Sequence, residues 1–129
     1  MIKTVLLVAI GGGIGAILRE LLMLAIGSAQ DGFPLDILVA NLTASFLLGL
    51  ACALHARKAL GDAIYLLLGT GVMGGLSTFS SFVFAAARLS ERSADEALVA
   101  AAYVLLSLGL GFGAVLLGLR VGGGRSHYM

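Results

Sequence analysis

Few side chains in this 129-residue sequence can do chemistry, and most of those are hydroxyls or amides rather than acids, bases or thiols. The densest group is Gly74-Gly75-Leu76-Ser77-Thr78-Phe79-Ser80-Ser81-Phe82. Four hydroxyls fall within five positions there, and two phenylalanines stand three apart. Hydroxyls donate hydrogen bonds without carrying a fixed charge. Such donors can replace the water around a small anion and still let it leave, as conduction requires. Residues three apart share a helix face, and a phenyl ring carries positive partial charge along its edge. Two ring edges beside hydroxyl donors therefore make a place where a small anion is tolerated. Without those hydroxyls the same rings would read as faces turned to lipid or to neighbouring helices.

Other polar residues fall into short stripes. Asn41, Ser45 and Gly49 recur every four residues, so they share one helix face. Asn41 can serve as an interhelical hydrogen-bond partner or as a donor along an ion path. Tyr103, Ser107 and Gly111 form a second stripe of the same period. It can relay an anion or bond back onto its own helix. Arg19 and Glu20 lie far along the first apolar stretch. They read either as a pair snorkelling to the interface or, for Arg19, as a cation at a water-filled vestibule that draws anions in.

No cluster of His, Cys and carboxylates lies in the apolar stretches, so an enzyme is not expected. His55 falls in a loop and His127 in the tail. The single cysteine, Cys52, excludes an internal disulfide framework. Gly11-Gly12-Gly13-Ile14-Gly15 is followed by no Gly-Lys-Ser/Thr, so it is not a phosphate loop. A net charge of +1 argues against a nucleic-acid-binding stripe.

These residues are set in a chain built for lipid. Apolar residues make up 60% and charged residues 12%, and mean hydropathy is +1.08. A soluble domain is roughly 45–50% apolar and about 25% charged. Four stretches approach the ~20 apolar residues that a crossing needs, at 2–26, 37–54, 63–87 and 97–119. The first is too long for a signal peptide and lacks a small-residue cleavage site before Arg19. The expected fold is therefore an all-α membrane protein, a single domain of four transmembrane helices spanning 1–129. A turn is expected at Ser28–Pro34, and the tail from Arg120 is expected to be mobile.

An even number of crossings puts both termini on one side. Lys3, Arg57, Lys58, Arg120 and Arg125 fall on that side, and Arg88 and Arg92 on the other. The positive-inside rule then favours cytoplasmic termini only weakly, which leaves insertion in both orientations open. In the third stretch, Gly74 to Thr78 disfavours an uninterrupted helix, so a break is expected there, near the bilayer midplane. Carbonyls freed at such a break must line a cavity or find partners, and could hold a cation; the amides opening the next half-helix would face an anion. A continuous helix with glycines for packing is the alternative. Gly11, Gly12, Gly13, Gly15 and Ala16, with Gly109, Gly111 and Gly113, form small-residue faces. Such faces allow close approach of backbones, either to a second subunit in a homodimer or only within one chain.

Gly71-Val72-Met73-Gly74-Gly75-Leu76-Ser77-Thr78-Phe79-Ser80-Ser81-Phe82 resembles the signature of the Fluc (CrcB) fluoride channel family. Gly12, Gly15, Ala16 and Arg19 in the first stretch, and Asn41-Leu42-Thr43-Ala44-Ser45-Phe46 in the second, support the resemblance. It extends to the Tyr103/Ser107 stripe. It implies a dual-topology, antiparallel homodimer with two pores, exporting fluoride passively across the cell inner membrane. It also implies that Phe79 and Phe82 contact the ion by their ring edges, with Asn41, Ser80, Ser81, Tyr103 and Ser107 along the pathway. Arg19 matches the family's arginine near the vestibule. Gly74 and Ser77 match positions whose backbone carbonyls hold a structural Na+ at the dimer axis. Glu20, Ala44 and Ser81 depart from the family's usual residues.

Two rival functions are expected to leave different traces. A proton-coupled exporter of the small multidrug resistance type needs a membrane carboxylate, and only Glu20 lies well inside a stretch. A scaffold subunit would account for the small residues but not for Asn41, Tyr103 and the Phe79/Phe82 cluster.

Overall fold

The computed structural model of the protein describes residues 1–27, 33–91 and 93–123, all of the regular structure being helical. Most of the expected Ser28–Pro34 turn, Arg92, and the tail from Gly124, with Arg125 and His127, lie outside these residues. The chain runs as α1 (Ile2–Ile26), α2 (Leu35–Ala56), α3 (Asp62–Tyr65), a π-helical segment (Leu66–Val72), α4 (Met73–Leu76), α5 (Phe79–Ser90) and α6 (Ala94–Gly123). The segments from Asp62 to Ser90 form one bent span, so four helical spans are long and apolar enough to cross a bilayer.

Spans extend past their apolar limits where polar residues close their ends. α6 begins at Ala94 rather than Ala97. The Ser93 hydroxyl accepts the Glu96 N–H at 3.2 Å, and Asp95 and Glu96 sit in the first turn, where the helix dipole favours acidic side chains. At its other end, Arg57 Nη1 donates to the Gly122 carbonyl at 2.9 Å. α2 starts directly after Pro34, and the Asp36 carboxylate, buried in its first turn, accepts the Ile37 N–H at 2.9 Å.

The break in the third span falls at Ser77 and Thr78, which are extended (φ −76°, ψ 151° and φ −144°, ψ 109°). The irregularity starts earlier than the sequence suggested. Leu66–Val72 winds as a π-helix, a wide turn that usually occurs as a short insertion at functional sites. Gly69, Thr70 and Gly71 within it have low α-helical propensity. The break also changes partners. Before it, the π segment and α4 lie against α1; after it, α5 lies against α6.

Glycines set the two closest helix contacts. A Cβ on Gly15 would run into the Val72 carbonyl, and one on Gly75 into the Gly12 carbonyl. Across the molecule, a Cβ on Gly49 would meet the Val115 carbonyl, and one on Gly118 the Phe46 carbonyl. Gly11 and Gly15 thus pack inside one chain, against the third span. The face expected on the fourth helix is displaced by about two turns. Gly109 and Gly113 have nothing within 4 Å of where a Cβ would stand, and Gly111 only the Ser45 hydroxyl at 3.9 Å. Gly118 and Gly122 make the contact with α2 instead. Local sequence shows where glycines are, but the register of α6 against α2 decides which of them touch.

Candidate functional site

The break is held open by side chains from the two preceding helices. Asn41, on α2, faces Thr78 across the chain. Its Oδ1 accepts the Thr78 N–H at 2.7 Å, and its Nδ2 donates to the Thr78 carbonyl at 3.2 Å. One amide side chain thereby satisfies both backbone groups of a residue in mid-span that has left the helix, where an unpaired group is costly. Arg19 reaches from α1 and donates from Nη1 to the Gly75 carbonyl at 3.0 Å. Its other terminal nitrogen lies 3.6 Å from the Glu20 carboxylate. The adjacent pair does meet, and the guanidinium is also anchored on the backbone just ahead of the break.

Thr78 then starts α5. Its hydroxyl accepts the Ser81 N–H at 3.2 Å and donates to the Ser81 hydroxyl at 2.9 Å, with the Ser80 hydroxyl 3.4 Å away. Threonine at this position satisfies a first-turn amide that has no helical partner. Thr78 is itself buried. Thr78 closes the Gly74–Thr78 stretch expected to interrupt the helix, and a threonine immediately ahead of a new apolar helical run is a start signal.

Next to the break is an open cavity of about 240 Å³. Asn41, Ser77, Phe79, Phe82 and Ser107 line it, from the expected site, together with Leu42, Ser45, Thr78, Leu108 and Gly111. All its lining residues are uncharged. Ser45 and Gly111 belong to the two stripes visible in sequence. Ser80 and Ser81 stand by the Thr78 hydroxyl rather than on the cavity wall, and Arg19, Gly74 and Tyr103 lie outside the wall as well.

The aromatic residues form a chain leading inward. Phe79 is 78% exposed on the outside of the chain, and Phe82 is partly buried. Their ring centroids are 6.0 Å apart at 39°. Phe82 lies 5.3 Å from Tyr103, and Phe33 meets Tyr103 edge-on at 5.4 Å. Tyr103 is fully buried. Its hydroxyl and that of Ser107, one turn on, are buried and face no hydrogen-bond partner outside their own pair among the described residues. Two polar atoms on one helix face thus have at most each other, where buried groups ordinarily find fuller hydrogen bonding.

The CrcB-like protein family (Camphor Resistance, CrcB) matches this sequence over residues 6–119. The chain belongs to that family. It is 49% identical over 122 residues to fluoride-specific ion channel FluC 2 of Brucella melitensis biotype 1, covering 95% of this chain and 45% of that protein. FluC 3 of Yersinia pseudotuberculosis serotype I is 47% identical over 95% of this chain and 90% of its own length. FluC of Deinococcus radiodurans is 42% identical over 91% of this chain and 92% of its own. The chain thus spans less than half the length of the Brucella relative and nearly all of the other two. These relatives are named as ion channels rather than enzymes, and the four apolar spans make the protein a multi-pass membrane protein. The exporter reading loses its support, because Glu20 is 64% exposed at its side chain and pairs with Arg19 away from the cavity.

Proposed function

We propose that the protein is a fluoride-selective channel giving passive fluoride export across the cell inner membrane. The observation that carries this reading is the uncharged cavity at the broken span, where amide and hydroxyl donors converge beside two phenyl rings. Three similar proteins are named fluoride-specific ion channels, which supports the choice of ion.

Fluoride is small and strongly hydrated, so entry requires donors in place of water. Asn41 Nδ2 carries two protons. One is committed to the Thr78 carbonyl, and the other is available to the cavity. Ser107 offers a buried hydroxyl on the cavity wall, and Tyr103 offers a second one turn away, behind that wall. Phe79 and Phe82 supply ring edges between them. Arg19 adds positive potential near the break while its guanidinium stays on the Gly75 carbonyl. The cavity wall itself carries no charge, so the ion is not trapped. Ser80 and Ser81 complete the hydroxyl cluster around Thr78, with the Ser81 hydroxyl accepting from that of Thr78.

The working unit in this reading is an antiparallel, dual-topology homodimer with two pores. The outward exposure of Phe79 supports it, since a ring meant to touch the ion needs a wall that one protomer does not provide. A Na+ ion on the dimer axis fits the chain at Gly74 and Ser77. Gly74 has open space around it, Ser77 is exposed, and both flank the end of α4, where helix carbonyls lose their partners. Bound there, the ion supplies a fixed positive charge between the two copies.

Liposomes holding the purified protein test the function directly. The expected result is rapid fluoride efflux with chloride retained and no dependence on a proton gradient. Equal loss of both halides, or none, would overturn the reading. Topology reporters fused to the C-terminus are expected to give signal from both sides of the membrane, and signal from one side alone would rule out dual insertion.

A further inference from the structure

The carbonyls at the end of α4 are not treated alike, and side chains from other helices take part in deciding which are left over. The Met73 carbonyl accepts the Ser77 N–H at 3.0 Å, closing the last regular turn. In an unbroken helix the next bond would run from the Thr78 N–H to the Gly74 carbonyl. Here that N–H goes instead to Asn41 Oδ1 at 2.7 Å. One residue further on, the Gly75 carbonyl is taken by Arg19 at 3.0 Å. Asn41 and Arg19 between them leave Gly74 as the carbonyl whose helical donor has been drawn away. Gly74 is also the glycine of this stretch that has nothing within 4 Å of its Cβ position, whereas its neighbour Gly75 is packed onto α1.

We infer that Asn41 is a positioning residue for the cation site as well as a donor in the anion path. By holding the Thr78 N–H, it keeps the Gly74 carbonyl free to ligate Na+. This rests on the proposed Na+ site, and adds the residue that creates it. The same side chain then links the two ions. Its Oδ1 maintains the cation's ligand through the backbone, and its remaining Nδ2 proton faces the cavity. A hydrogen-bonded Gly74 carbonyl would offer one lone pair fewer and point along the helix axis, so the site weakens whenever the helix closes across the break.

Two variants separate the roles. Asn41→Leu has nearly the same volume but no acceptor, so the Thr78 N–H returns to Gly74. Asn41→Asp keeps an oxygen for the Thr78 N–H but places a negative charge beside the anion path. The readout is thermal stability of the purified full-length protein in Na+ against N-methylglucamine, measured together with fluoride efflux. Wild type is expected to be stabilised by Na+. Asn41→Asp is expected to keep that increment while losing fluoride efflux, and Asn41→Leu to lose both. A folded Asn41→Leu protein with the full Na+ increment would overturn the inference, as would an Asn41→Asp protein that folds but no longer responds to Na+. Should Asn41→Leu fail to fold, the Asn41→Asp result decides. Wild type with no Na+ increment would instead overturn the cation site itself, and this inference with it.

Discussion

Replacing Gly15 by alanine adds one methyl group at the tightest point between α1 and the third span. That methyl would overlap the Val72 carbonyl and lie 2.8 Å from the Leu76 nitrogen and 2.9 Å from the Val72 carbonyl carbon. All three are backbone atoms, so no side-chain rotation relieves the contact. Ordinary carbon–oxygen contacts between packed backbones are about 3.3–3.6 Å, so α1 must move outward by the order of an ångström. Overpacking of this kind costs roughly 1–3 kcal/mol, or up to about a hundredfold in the folding equilibrium at ~1.4 kcal/mol per tenfold. The displacement also strains the bond from Arg19 to Gly75, one turn along the same interface. Gly13→Ala is the matched control, since nothing lies within 4 Å of its Cβ position. There the helix propensity of alanine favours the variant by up to ~1 kcal/mol. Thermal unfolding in detergent micelles, followed by loss of the monodisperse gel-filtration peak, compares the two. Gly15→Ala is expected to unfold well below wild type, and Gly13→Ala at or above it. Equal stability of the two would refute the backbone contact between α1 and the third span.

Phe79→Ile and Phe82→Ile are expected to leave assembly intact and to slow fluoride efflux from liposomes at least tenfold each; unchanged efflux in both would remove the rings from the path. Tyr103→Phe and Ser107→Ala delete hydroxyls that have no partner outside their own pair among the described residues, so each is expected to cost no more than the ~1 kcal/mol of one hydrogen bond. Both are nevertheless expected to slow efflux, a combination that gel filtration and flux assays on the same preparation would show. Thr78→Ala removes the cap on the Ser81 N–H and is expected to cost about 1 kcal/mol, whereas Thr78→Ser keeps the hydroxyl and should unfold close to wild type.

Sequence alone established the solvent, the number of crossings and the kind of chemistry. Hydropathy and length are additive along the chain, so four spans can be read without knowing what they pack against. The break was legible for the same reason: Gly-Gly followed by hydroxyls is unfavourable for a helix wherever it lies. The stripes containing Asn41 and Ser107 also follow from local periodicity, and Asn41, Ser45, Ser107 and Gly111 of them line the cavity at the break, while Gly49 and Tyr103 do not.

Tertiary structure decided how these pieces are used. Asn41 and Thr78 are 37 positions apart, and nothing local indicates that one amide serves both backbone groups of the other. Which glycines of α6 touch α2 depended on register, so Gly118 and Gly122 make the contact while Gly109 and Gly113 stay open. Arg19 was visible as a cation far along α1, but its hold on the Gly75 carbonyl follows from the close glycine contact that brings α1 onto α4. Residue types specify which bonds can form; the helix register specifies which partners come within about 3 Å, and at a broken span that choice settles which backbone groups are left unpaired.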